Sequence, residues 1–142
     1  MFSTPLTAIV AASFFAVAAS AVNGSGTVTF GSSVEHITVN VSGSSGRATF
    51  QDKAAGGNVS GQININCVSI VGNTATLSGL VTHSNKKEMI GQEGVFRIVD
   101  NGGKKGTPDM ATLINFHQPG TSTDCNAGEF DLSPVKGDFT IR

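Results

Sequence analysis

Residues 61–81 constrain the fold more than any other stretch, because they join two β-rich runs through a two-residue turn. The turn is Gly72-Asn73, and a Gly-Asn pair between two strands is a β-hairpin signal, since such residues tolerate positive φ. Pairing outward from this turn places Asn66 opposite Gly79. The apolar residues then change face along the hairpin, with Val68, Ile70, Ala75 and Leu77 on one side and Ile63, Ile65, Cys67 and Leu80 on the other. We predict that the two sets bury opposite faces, with a bulge or bend near Gly79, or that half of the hairpin overhangs the core.

β character continues through the rest of the chain. Thr, Val, Ile and Phe recur with a period of two between clusters of Gly, Ser and Asn, and helix signals are nearly absent after residue 21. Further strands are predicted at residues 27–30, 35–41, 47–51, 95–100, 110–116 and 138–142. Phe50, Phe96 and Phe139 lie on apolar strand faces, so we expect them in the core. Seven or eight short strands predict an all-β antiparallel fold, either a β-sandwich or a small β-barrel.

The N-terminal segment has the features of an export signal. Residues 6–19 form an apolar run too short to span a bilayer, and Ala19-Ser20-Ala21 follows as a small-residue cleavage pattern. No Lys or Arg precedes the run, which departs from the usual signal. We predict a signal peptide at residues 1–21, a single secreted domain at residues 22–142 and an extracellular location.

The chain contains two cysteines, Cys67 and Cys125. In an oxidising compartment each has only the other as an intramolecular partner, so we predict one Cys67–Cys125 disulfide. A metal pair or a catalytic thiol would need further partners that the sequence does not place beside them.

Charge and composition exclude several partners. The net charge is −1 with both signs scattered, so neither nucleic acid nor an anionic membrane is expected as a partner, and residues 22–142 contain no apolar stretch long enough for a membrane span. Trp and Tyr are absent, which disfavours glycan recognition by aromatic stacking. An extracellular protein or a glycan bound by polar contacts remains as the expected partner.

Motifs for catalysis are absent. His36, His83 and His117 lie on separate elements, and no Gly-x-Ser-x-Gly occurs, so neither a histidine metal site nor a serine nucleophile is predicted. An enzyme acting on polysaccharides through two of the carboxylates Glu35, Glu93 and Asp109 stays an alternative.

Oxygen donors and sequons add two further hypotheses. A calcium-assisted glycan site could use loop residues, namely Asp100, Asn101, Asp109, Asp124 and Asp131, although Asp and Asn are also common turn residues. Three Asn-x-Ser sequons predict N-glycosylation in a host that exports through an endoplasmic reticulum, at Asn23, Asn40 and Asn58.

Part of the chain resembles a known family. The residues that carry the resemblance lie between 59 and 142, and they are Gly61, Ile63, Cys67, Val68, Ile70, Gly72, Asn73, Ala75 and Gly79, then Phe96, Ile98, Asp100, Asn101, Gly102, Pro108 and Asp109. This pattern resembles a family of small secreted β-domain proteins of fungi and actinobacteria without assigned activity. The resemblance implies an exported β-domain and supplies no catalytic or binding residue.

These observations favour a small secreted, non-enzymatic protein that acts as a binding module at a cell surface, a wall or a host interface, through loops on a rigid β scaffold. No cofactor is predicted. The alternatives are the carboxylate-dependent enzyme, the calcium-assisted glycan binder, and a protease inhibitor that uses the loop at residues 84–94.

Overall fold

A computed structural model describes residues 21–54, 57–103, 106–119, 125 and 131–142. These residues form nine β-strands and one short 3₁₀ helix, Lys87–Met89, in the loop after the fifth strand. The strands are β1 (Ala21–Phe30), β2 (Ser33–Ser42), β3 (Ser45–Ala54), β4 (Gly57–Val71), β5 (Thr74–Ser84), β6 (Glu93–Val99), β7 (Met110–Ala111), β8 (Asn115–His117) and β9 (Ser133–Ile141).

Eight of these strands close into an antiparallel barrel. Each strand from β1 to β6 pairs with the next, β6 pairs with β7, β7 with β9, and β9 returns to pair with β1. β8 is an additional strand that pairs with β6. The all-β prediction is therefore confirmed, and the fold is the barrel rather than the sandwich.

The single strand predicted at residues 110–116 is wrong, because the chain forms two short strands there. Between them the Thr112 hydroxyl accepts a hydrogen bond from the Arg97 backbone N–H at 2.9 Å, in place of a backbone carbonyl. Farther along, the backbone N–H of Ile114 donates to the Glu35 carboxyl at 2.8 Å. Between β7 and β8, side chains thus replace backbone carbonyls as acceptors, and regular strand pairing is interrupted.

Strict alternation fills the barrel with apolar side chains. In β2, Ile37, Val39 and Val41 point inward and are buried, while the residues between them are exposed. The expected core positions of three aromatic residues are confirmed, since each is at most 1% exposed: Phe50, Phe96 and Phe139. The interior is therefore a packed core.

Glycines make room for these rings. A Cβ added to Gly61, the cross-strand partner of Phe50, would lie 2.7 Å from the Phe50 ring. A Cβ on Gly26 would lie 2.1 Å from Val135 and 3.1 Å from the Phe139 ring. The inward glycines and the large rings therefore occupy complementary volumes.

The β4–β5 hairpin contains the predicted bulge. Val71 faces Thr74 across the turn, and the predicted register continues as far as the Cys67–Ser78 pair. Beyond it, Ile65 rather than Asn66 faces Gly79, so Asn66 is the extra residue on β4. The predicted Asn66–Gly79 pair is wrong by this one residue.

The bulge also corrects the prediction that the two halves of the hairpin bury opposite faces. An extra residue reverses the side-chain alternation of β4, so Ile63 and Ile65 enter the same core as Ala75 and Leu77. Leu80 lies on the outer side and is 38% exposed. Both halves therefore bury one common face.

Three hairpins have the same type of turn. Two-residue loops join β1 to β2, β2 to β3 and β4 to β5, and their first residues are Gly31, Gly43 and Gly72, with φ of 61°, 66° and 61°. No second residue of these loops has a positive φ. This pattern fits type II′ turns, whose twist matches that of the strands.

The predicted disulfide joins Cys67 to Cys125 with a Cα–Cα distance of 5.6 Å. Cys67 lies opposite Ser78, and Ser78 lies opposite Val95 on β6. Val95 is fully buried, yet it does not belong to the main core cluster. The disulfide therefore anchors Cys125 near a second, smaller buried region outside the barrel interior.

The predicted signal peptide lies outside the described residues except for Ala21, and it stays a prediction. Ala21 exchanges two backbone hydrogen bonds with Arg142, of 2.8 and 2.9 Å. Among the helices of the described residues, none has the length and apolar character needed to cross a membrane.

Replacing Gly79 by Ala tests the packing at the bulge. The new Cβ would lie 2.0 Å from the carbonyl oxygen of Asn64, so backbone must move, and we expect a loss of about 2–3 kcal/mol of unfolding free energy. Urea denaturation measures the change. Thr29→Ala, at an exposed strand position on β1, should cost less than about 0.5 kcal/mol. Equal stability of G79A and the native protein would contradict this packing.

Removing the disulfide tests its contribution to stability. The bond joins residues 58 positions apart, and the chain-entropy treatment gives about 4 kcal/mol for such a loop. The C67S/C125S double variant should therefore unfold at a clearly lower temperature in a calorimetric scan. A native protein treated with reductant under the same conditions should show the same decrease, and an unchanged melting temperature would refute the contribution.

Candidate binding surface

The outer face of strands β1 to β4 is mainly polar. The inward residues of these strands are mainly apolar, whereas most outward ones carry hydroxyl, amide, imidazole or cationic groups, with exceptions that include Val34 on β2 and Cys67 and Val71 on β4. Across the four strands the register aligns them in rows, such as Ser25, Thr38, Thr49 and Gln62, and Asn23, Asn40, Arg47 and Asn64. A wide patch of hydrogen-bonding groups results.

A groove follows β3 along this patch. We define the β3 groove as three adjoining cavities of about 590, 400 and 270 Å³ along β2, β3 and β4. Outward residues form most of their lining, and residues at inward positions also line the second (Phe50, Gly61) and the third (Asp52, Val59). The first two cavities share Thr38 and Thr49, and the second and third share Gln51 and Ser60. From Ser45 to Lys53 the groove extends about 27 Å, at about 3.4 Å per residue. It is long enough for several units of an extended polymer.

Many polar side chains of the β3 groove have no partner within the described part of the chain. Five exposed side chains of the groove form no hydrogen bond there, namely those of Thr38, Asn40, Thr49, Gln51 and Asn64. Their donors and acceptors are held by strand backbone and point to solvent. The groove can therefore form several hydrogen bonds with one ligand.

Charge is sparse in the β3 groove. Arg47 lines the largest cavity, which contains no acidic residue. At the other end, Asp52 and Lys53 line the smallest cavity together. His36 lies between, with its Nδ1 3.1 Å from the Thr27 hydroxyl. The surface is thus largely neutral with one isolated guanidinium.

Sequence reasoning did not find these residues. Alternating Thr, Asn and Gln on a strand are typical of an ordinary solvent-facing side, and each strand alone gives no further signal. The available signal was the scarcity of apolar residues at the outward positions of four consecutive strands, where Val34, Cys67 and Val71 are exceptions among mainly polar residues. That signal becomes visible only after inward and outward positions are assigned.

A buried carboxyl group lies inside the barrel at one end of β2. Glu35 is 1% exposed and faces Asp52 across the β2–β3 pair. Burial raises the pKa of Glu35 to about 8, and the nearby Asp52 carboxylate adds to the increase. The hydrogen bond from the Ile114 N–H acts in the opposite direction and lowers the pKa, but its effect is smaller than that of burial. Burial also raises the pKa of Asp52. Glu35 is therefore protonated at neutral pH and acts as a neutral acceptor for the chain between β7 and β8.

The three carboxylates considered for catalysis line neither the β3 groove nor the cavity beside Phe30. Glu35 points into the core, and Asp109 is 4% exposed. Glu93 lies on β6, with Oε1 3.9 Å from Nδ1 of His117. None of the three lines the β3 groove. The geometry needed for glycoside hydrolysis, two carboxyl groups on either side of a bound substrate, is not provided by these residues.

The acidic loop residues bind backbone instead. Both oxygens of Asp109 accept backbone N–H groups, from Asn101 at 2.8 Å and from Phe139 at 2.7 Å. Asp100 accepts likewise from Gly102 at 2.8 Å and from Ile141 at 2.9 Å. These carboxylates hold the loop after β6 against β9, which is a structural role.

The remaining proposed calcium donors do not join them. Asp131 is exposed and lines a separate cavity of about 130 Å³ with Phe30, and Asp124 lies outside the described residues. Among the residues that the structure describes, no group of three or more His, Cys, Asp or Glu side chains could hold a metal ion. His36, His83 and His117 lie on β2, β5 and β8.

The three sequon asparagines are exposed on strands. Asn23 and Asn40 face each other across β1 and β2, and Asn40 lines the largest cavity of the β3 groove. Asn58 lies at the start of β4, and its carbonyl accepts a hydrogen bond from the Asn85 side chain at 2.9 Å. Their glycosylation stays a prediction, and a glycan on Asn40 would occupy the groove.

The loop considered for protease inhibition folds back on the barrel. The Gly91 N–H donates to the Val81 carbonyl, and the Val81 N–H donates to the Gln92 carbonyl, both at 2.9 Å. At its start the Ser84 hydroxyl donates to the Ser60 carbonyl at 2.9 Å. The loop is therefore tied to β4 and β5 along much of its length.

Comparison with family models, with curated proteins and with solved structures found no match to this chain. The resemblance to small secreted β-domain proteins therefore stays a prediction.

Substituting Glu35 tests the effect of its buried carboxyl group on stability. Because the folded pKa is about 8 and the unfolded value is 4.5, only the unfolded chain releases the proton between these values. Stability should fall by about 1.4 kcal/mol per pH unit across this window and level off above it. Glu35→Gln keeps an acceptor for Ile114 and should remove this slope.

Urea denaturation at several pH values from about 5 to 9 measures the slope. Glu88→Gln, on the exposed 3₁₀ helix, is the control and should retain the native pH dependence. A Glu35→Gln variant with an unchanged slope would show that another group controls the stability in this range.

Proposed function

We propose that the protein is a secreted, non-enzymatic module that binds an extended polysaccharide along the β3 groove. The observation that carries this proposal is the continuous polar groove about 27 Å long, whose hydroxyl and amide groups have no partners within the described chain. A sugar chain carries hydroxyl groups along its whole length, so it can match such a row of donors and acceptors.

Composition of the groove favours a carbohydrate over a protein partner. Protein interfaces are enriched in Tyr, Trp, Phe, Met and Arg at their centres, and their anchors fill desolvated pockets. Of these residue types the described lining of the β3 groove contains Arg47 and the largely buried Phe50, and no Tyr, Trp or Met. Without aromatic platforms, affinity must come from hydrogen bonds spread along the groove, each worth about 0.5–1.5 kcal/mol.

Binding without catalysis agrees with the position of the carboxyl groups. Asp52 lies at one end of the β3 groove, and its cross-strand neighbour Glu35 is buried in the core. A glycosidase needs a proton donor and a second carboxylate that both reach the scissile bond. Among the described groove residues, Asp52 is the one carboxylate, so the groove is suited to holding a polymer.

The disulfide supports an extracellular setting. Disulfides persist mainly in oxidising compartments, and the Cys67–Cys125 bond is consistent with export through the predicted signal at residues 1–21. Export would bring the β3 groove into contact with cell walls and matrices, where extended polysaccharides occur.

Titration with soluble oligosaccharides tests the proposed function. The mature protein, made with its disulfide and without N-glycans, would be titrated with hexamers of glucose, mannose, xylose, N-acetylglucosamine and galacturonate. We expect shifts of backbone NMR signals on β2, β3 and β4 with at least one of them. If no member of this panel causes shifts there, the proposal fails.

Replacing threonines of the β3 groove tests the location of the proposed polysaccharide-binding site. Thr38 and Thr49 are cross-strand partners at the centre of the groove, and T38A/T49A should weaken binding roughly tenfold by removing two hydroxyl contacts. T29A/S32A removes two exposed hydroxyls that line none of the three cavities and should leave affinity unchanged. Equal affinity of both double variants would place the binding site elsewhere.

A further inference from the structure

We infer that the β3 groove selects acidic polysaccharides, and that Arg47 binds the carboxylate of a uronic acid unit. This inference rests on the proposed function and adds the class of sugar. Its starting point is the largest cavity of the groove, of about 590 Å³, in which Arg47 is the one charged residue.

Arg47 lies between two carboxamides. On β3 it is the cross-strand partner of Asn40 on β2 and of Asn64 on β4, and both amides line the same cavity. Cross-strand neighbours have Cβ atoms about 4.5–5.5 Å apart, so the three polar heads converge on the same region. A guanidinium offers a planar fork of donors, and each amide offers an NH₂ group. The row is therefore rich in donors, as a carboxylate requires.

The positive charge of Arg47 is not compensated within the described chain. Arg47 forms no ion pair and no side-chain hydrogen bond with a described residue, and it is exposed. The residues that line its cavity are neutral, with hydroxyl, amide and glycine groups around it: Thr38, Asn40, Ser42, Ser45, Gly46, Thr49 and Asn64. An uncharged sugar would leave this charge unmatched, whereas a carboxylate would pair with it through two parallel hydrogen bonds.

The charge pattern also selects against other anionic partners. Nucleic acids and anionic membranes are held by several cations that contact successive phosphates or headgroups. The β3 groove has one cation in its largest cavity and a second, Lys53, beside the acidic Asp52 at its far end. A polymer with a single carboxylate per sugar, surrounded by hydroxyl groups, fits one guanidinium in a row of neutral polar side chains.

A pair of matched ligands tests this inference. The native protein would be titrated with a galacturonate tetramer and with its carboxyl-reduced form, in which each carboxylate is replaced by CH₂OH. Both keep the same linkage and ring hydroxyls. We expect the acidic tetramer to bind about tenfold more tightly, and this preference to shrink as sodium chloride is added.

Variants of Arg47 test whether this residue causes the preference for the acidic tetramer. Arg47→Gln should bind both tetramers with the affinity that the native protein shows for the reduced one, which abolishes the preference. Arg47→Lys keeps the charge without the planar fork and should retain a smaller preference. Lys87→Gln removes an exposed cation from the 3₁₀ helix, outside the three cavities of the groove, and should retain the full preference. NMR spectra of each variant confirm that the barrel is intact.

The outcomes separate the two proposals. If both tetramers bind the native groove equally, or if Arg47→Gln keeps the preference, the inference about acidic sugars is overturned while polysaccharide binding stands. If neither these tetramers nor the neutral hexamers bind in the groove, both proposals are overturned.

Discussion

Closure of the barrel through β7 is the constraint on which the rest of the structure depends. β7 has two residues, and its pairs with β6 and β9 join the two ends of the sheet. Asp109, just before β7, supports this junction with a buried carboxylate that binds the backbone of Asn101 and of Phe139. Because the Asp109 side chain accepts from both of these backbone N–H groups, a short strand can complete the ring. A complete ring leaves the barrel with no free edges.

Inside this ring, the alternation of side chains produces two surfaces with different chemistry. The inner surface is apolar and packed around three phenylalanine rings, and it is rigid because its volume is filled. The same backbone fixes the positions of the outward side chains of β1 to β4, so their hydroxyl and amide groups are arranged in rows without the proposed polysaccharide. Such preorganisation lowers the entropy lost on binding. The bulge at Asn66 preserves this division. Along the chain, the apolar residues of β4 change from odd to even positions there, and the one extra residue keeps both sets on the inner surface.

Local signals in the sequence predicted much of the fold. The Gly72-Asn73 turn, the bulge near Gly79, the aromatic core and the disulfide follow from residue type and spacing, and the structure confirms them. The choice between sandwich and barrel depends on which strand meets β1, and spacing along the chain does not determine such a distant pair. The split between β7 and β8 depends on Thr112 and Glu35 replacing backbone partners, which is likewise a tertiary effect. The β3 groove was not predictable because it needs the register of three strands at once.

The order of strand pairing has a consequence for how the chain acquires its structure. From β1 to β6 every strand pairs with the next one along the chain, so these contacts close short loops and can form early. Val22 on β1 pairs with Ile141 on β9, so the first strand keeps an open edge until the ninth has been synthesised. An open edge can pair with another chain, and the Asn, Gly, Ser and Thr residues that make up much of β1 reduce the gain from such pairing. The polar composition of β1 thus reduces pairing between incompletely folded chains, as well as contributing to the finished outer face.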